Sequence, residues 1–161
     1  MHRLGQFVSH LTARVTPDEE ATAHRILPGT AWPLFDGMPV ADRRHGLDVA
    51  RRLLERDIDD RELLAAALLH DAAKGRRLRL WHRVSGVVLA RLAPSLLKRL
   101  ASPDEGNRGR MWWIFLHHAR LSAEAAREAG LSERAARFIS GAVAAGDENL
   151  AAALHAADEA S

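Results

Sequence analysis

Two groups able to hold a metal or carry a proton stand side by side at His70-Asp71. They end the apolar run Ala67-Leu68-Leu69 in the stretch ALLHDAAKG. A run of this kind reads as a helix that buries its side chains, and a polar pair there costs several kcal/mol unless it is satisfied. Neighbours on a helix point about 100° apart, so both can serve one ion only if it lies in the notch between them, near the helix end. A reading without function stays open: His70 bonded to a backbone carbonyl and Asp71 paired with Lys74 one turn on.

Nine histidines occupy positions 2, 10, 24, 45, 70, 82, 117, 118 and 155, and no two are four apart. The zinc-helix spacing is therefore excluded, and a metal site needs ligands from separate helices, as in helical bundles. His45 is followed one and two turns later by Val49 and Leu53, and Asp158 is preceded by Leu154 and Leu150. Both polar residues thus lie on core-facing stripes. An ordinary core histidine at 45 and a surface acid at 158 remain the alternatives.

The elements that must position these residues all read as helix. Thr16-Pro17-Asp18-Glu19 is a capping box with proline at the first helical position, and Pro28-Gly29 closes that helix. Residues 39–56 follow a helical period, and Asp59-Asp60-Arg61-Glu62 caps a helix expected to run through the dyad to Gly75. Further helices are predicted over 81–93, from Pro94, and over 110–118, 122–129, 133–144 and 148–160, with a loop at 102–107. No clean period-two alternation marks a strand. The expected fold is an all-α, single-domain helical bundle, residues 1–38 forming an N-terminal helical extension packed on the domain formed by 39–161.

With 47% hydrophobic and 27% charged residues, well mixed, the chain has globular composition. Cysteine is absent, which excludes disulfides and thiolate chemistry. Residues 1–10 lack a signal-peptide core and no apolar run approaches a membrane span, so a cytoplasmic protein with no membrane partner is expected. The pI is about 9.9, yet the net charge is only +2. No basic stripe with interleaved aromatics points to nucleic acid. Trp112, Trp113 and Phe115 are expected to pack the core. Lys74, Arg76, Arg77, Arg79 and Arg83 form a basic cluster after the dyad, either a solvated face or, beside a metal, a grip for phosphate.

The order of His45, His70-Asp71 with Lys74, and Asp158 within ALHAADEAS resembles the HD domain family, in a single-domain bacterial-type form. The likeness covers residue 39 onward. It implies His45, His70, Asp71 and Asp158 as ligands of one divalent ion, whether Mn, Fe, Mg, Co, Ni or Zn. HARLSAEAA is similar to the H-P-x-x-G-A-x-x-A segment of some branches, where the histidine meets a second metal or phosphate; Ala119 and Ser122 replace the proline and glycine. The following region has no histidine, which argues against a second metal.

The activity implied is that of a metal-dependent phosphohydrolase, mono- or diesterase, acting on a small phosphorylated molecule, a nucleotide above all. Asp71, Lys74 and His118 carry the catalysis in this reading, and Lys74, Arg77, His82 and His118 hold substrate. Lys74 and Gly75 depart from the H-D-x-x-E-D of the (p)ppGpp branch, and the chain has no tyrosine for the G-Y-P of the cyclic-di-GMP branch. The alternative is a catalytically degenerate scaffold that binds a ligand or a protein. A homodimer, through the region before Pro39, is left open.

Overall fold

The computed structural model describes residues 14–75 and 80–161, except the side chains of 80–84. The described residues form nine α-helices and no strand: α1 Pro17–Ile26, α2 Trp32–Asp36, α3 Val40–Leu54, α4 Arg61–Leu69, α5 Leu80–Leu92, α6 Pro94–Leu100, α7 Arg110–Glu128, α8 Glu133–Ser140 and α9 Glu148–Glu159. The all-α single-domain bundle expected from the sequence is the fold observed.

Helix α4 is the axis of the bundle. Every residue from Leu63 to Leu69 is buried, the pattern of a helix enclosed on all sides, and α1, α2, α3, α8 and α9 pack around it. Its start follows the predicted signal: the Asp60 side chain accepts from the Leu63 N–H at 2.9 Å. Asp60 also takes Arg134 of α8 at 2.8 Å, and the same guanidinium bonds Glu62 and Asp147 at the start of α9. One arginine thereby ties three helix starts together.

The segment before Pro39 is part of the same core, through Ala23, Ile26, Leu27, Ala31 and Phe35. Thr16 and Glu19 complete the expected capping box. Arg44 of α3 bonds both Glu19 and Asp48, Arg43 reaches Asp36 at 2.9 Å, and Arg61 donates to the Ile26 carbonyl at 3.1 Å. These contacts dock α1 and α2 on the bundle.

Three expectations are corrected. The dyad helix does not run to Gly75: α4 stops at Leu69, and a 3-10 turn, Ala72–Lys74, follows. Gly75 ends this turn with φ +54° and ψ −179°, a conformation that only glycine adopts readily. Helices at 110–118 and 122–129 are one helix, α7, because no glycine or proline interrupts Ala119-Arg120-Leu121. Helix α8 ends at Ser140 instead of Ala144, since Gly141 takes the left-handed cap at φ 75°.

Candidate metal centre

The break after Leu69 is what lets His70 and Asp71 act together. With Asp71 at φ −103° and ψ 7°, the pair escapes the fixed 100° offset of a continuous helix. His70 turns its Nδ1–H back to the Ala67 carbonyl at 2.9 Å. A carbonyl oxygen only accepts, so Nδ1 carries a proton and Nε2 faces forward. His118, on α7, repeats the device by donating Nδ1–H to the Phe115 carbonyl at 2.8 Å.

Three helices bring their ligand atoms to one place. His45 Nε2 from α3 stands 2.8 Å from Asp158 Oδ1 of α9, and His70 Nε2 lies 3.4 Å from the same oxygen. The ligand atoms of His45, His70 and Asp158 all fall within 4.8 Å of one another. Donors about 2.1 Å from an ion stand about 3.0 to 3.4 Å apart when adjacent, so this spacing fits a divalent cation. The stripes read from the sequence are those observed: Val49 and Leu53 are fully buried, Leu154 is buried and Leu150 packs against the core.

Asp71 stands at the edge of this trio. Its Oδ2 accepts from Lys74 Nζ at 2.6 Å. Its Oδ1, 3.7 Å from His70 Nε2 and 3.9 Å from His118 Nε2, is buried without a hydrogen-bond partner among the described residues. Among the described residues, this buried carboxylate oxygen has no bonded donor, although two imidazole nitrogens stand within 4 Å. Buried acceptors are normally satisfied, and a cation is one partner that this oxygen and the neighbouring ligand atoms could share. The two contacts of the reading without function, His70 on a carbonyl and Asp71 on Lys74, are therefore present and compatible with metal binding. With an ion bound, they would orient His70 and Asp71 as outer-shell bonds do.

The electrostatics follow from this crowding. Burial works to raise the Asp158 carboxyl, but hydrogen bonds and charge from His45 and His70 outweigh it and hold the acid far below the usual range. For Asp71, burial is outweighed by His70 and Lys74, which hold it at about 2. Burial pulls His70 down, yet Asp158 and Asp71 win and raise it. His118 is lowered, by burial first and then by Lys74.

Two residues that shape the site lack chemical groups of the expected kind. Gly46 presses on α4: a Cβ there would lie 2.9 Å from the Leu68 carbonyl oxygen and 3.1 Å from that of Ala67, the acceptor of His70. A glycine inside a helix costs about 1 kcal/mol against alanine, which was the available signal. Ser122 of α7, fully buried, accepts the Ala73 N–H at 3.0 Å and pins the turn that carries Lys74.

Arg77 lies outside the described residues, as do Arg76 and Arg79. His82 and Arg83 fall in α5, but their side chains lie outside the described residues. His155 is exposed and stands 3.5 Å from Glu159. Trp112, Trp113 and Phe115 do not enter the main core. Trp113 is half-buried, its ring against His117 and between Arg110 and Arg120, while the Phe115 ring packs on Gly86 of α5.

No family model, no curated protein and no solved structure matches this chain.

Proposed function

We propose that the chain is a metal-dependent phosphohydrolase of the HD-domain type, acting on a phosphate ester, a nucleotide above all. One observation carries the reading: His45, His70 and Asp158, from three helices and far apart in sequence, converge beside an unpartnered oxygen of buried Asp71. His45, His70, Asp71 and Asp158 would hold one divalent ion, which when bound supplies Lewis acidity and charge neutralisation at a phosphoryl oxygen.

The chain's own groups supply the rest. Lys74 spends one N–H on Asp71 and retains two for non-bridging phosphoryl oxygens. His118 presents its Nε2 lone pair beside Asp71, where it can take a proton from an attacking water or hold the leaving oxygen once protonated. Arg77 and His82 are assigned to substrate by the family likeness alone.

The test combines elemental analysis of freshly purified protein with a screen of aryl phosphates and nucleotides in Mn or Mg. Wild type should retain a divalent ion and turn over a phosphate ester, and His70→Ala and Asp71→Ala should each lose both. Added metal should raise wild-type stability by about 2.7 kcal/mol at a hundredfold excess over Kd. Full activity in both variants removes the proposal, and retained metal without turnover on any phosphate assigns the chain to a binding scaffold.

A further inference from the structure

The solvent side of α5 and α6 takes no part in the metal centre. Seven large hydrophobic side chains are exposed among the described residues, and five of them lie here: Val87, Val88, Leu92, Leu96 and Leu100. From Val88 they recur every fourth residue across the Ala93-Pro94 joint, and Leu92 is 77% exposed. Such a concentration marks a contact surface, whereas scattered single apolar residues need no explanation.

The charges around it are one-sided. Arg91, Lys98 and Arg99 are exposed on the same two helices, and none is ion-paired among the described residues. Residues 72–103 hold eight lysines and arginines and no aspartate or glutamate, while the rest of the chain carries 15 cations against 21 acids. Aliphatics and cations together, with no acid, match a surface that is anionic outside and apolar beneath. A second copy of this face would set like charges against each other. Single-stranded nucleic acid calls for aromatic platforms, and the exposed apolar residues described here are aliphatic.

We infer that the α5–α6 pair docks peripherally on an anionic phospholipid surface. Leu92 and Leu96 enter the boundary between headgroups and acyl chains, and Arg91, Lys98 and Arg99 meet the lipid phosphates. No described helix is long and apolar enough to cross a membrane. That fact bears on crossing and leaves docking open. The inference is independent of the metal centre.

Co-sedimentation of the full chain with vesicles tests it, using phosphatidylcholine alone and an equal mixture with phosphatidylglycerol. Wild type should partition onto the mixed vesicles and not onto phosphatidylcholine. The triple variant R91Q/K98Q/R99Q should bind about a hundredfold more weakly. L92D/L96D, which alters two exposed side chains and should keep the wild-type circular dichroism, should release the protein. Absence of wild-type binding to mixed vesicles overturns the inference, and so does equal binding to both lipids. Binding that L92D/L96D leaves unchanged reduces it to adsorption of charge and also overturns it. A dimer that L92D/L96D dissolves assigns the face to a second copy instead.

Discussion

Replacing Gly46 by alanine sets two effects of opposite sign against each other. The new Cβ would lie 2.9 Å from the Leu68 carbonyl and 3.1 Å from both the Ala67 carbonyl and Leu68 Cα. These are backbone atoms of the central helix and cannot swing aside. Restoring ordinary contact requires α3 and α4 to separate by about half an ångström, an overpacking that typically costs about 1–3 kcal/mol. Alanine repays about 1 kcal/mol of helix propensity. The net loss is then about 0–2 kcal/mol, a fall in Tm of no more than about 8 °C at about 2–4 °C per kcal/mol.

Metal affinity should suffer more than stability. His45 adjoins Gly46, so the separation moves His45 away from His70 and Asp158, and sites of this kind tolerate only about 0.5 Å. A tenfold to hundredfold loss of affinity is expected, roughly what outer-shell substitutions cost. Isothermal titration with Mn or Zn, alongside calorimetric unfolding of the metal-free protein, separates the two effects. A Gly46→Ala protein about 1 kcal/mol more stable than wild type, with unchanged affinity, would show that the close approach of α3 to α4 does not set the site.

Further outcomes follow from the same contacts. In EDTA, the Tm difference between wild type and Asp158→Asn should be greatest near pH 5.5. His70 is raised by Asp158, so its contribution is full below the unfolded value of about 6.5 and is lost as pH rises through the higher folded value. Asp158 stays ionised throughout, and a difference that widens toward pH 9 would contradict this. Ser122→Ala leaves the Ala73 N–H without its acceptor and should cost about 1–3 kcal/mol; unchanged unfolding in denaturant would count against the role given to Ser122. Asp60→Ala removes the α4 cap and one Arg134 pair, about 1–2 kcal/mol in all, while metal affinity measured by titration should stay within experimental error. A large drop in affinity there would mean that the Arg134 network reaches the site.

The sequence by itself determined the all-α class and several of the helix starts. Thr16-Pro17, Asp60 and Pro94 start helices because a cap or a fixed φ acts on neighbours within one turn, and the stripes at Val49 and Leu53 or Leu150 and Leu154 repeat within one element. His45, His70 and Asp158 could be placed on core faces by the same local periodicity. Local signals erred where a competing contact came from elsewhere. The dyad helix ends five residues short of Lys74, where Ser122 of a distant helix takes the Ala73 N–H. Only the tertiary structure decided that His45, His70 and Asp158 meet, that Asp71 divides its oxygens between Lys74 and the histidines, and that Gly46 allows the approach. The distance between residues 45 and 158 depends on how α3 and α9 pack against α4, and no property of either segment taken alone contains that distance.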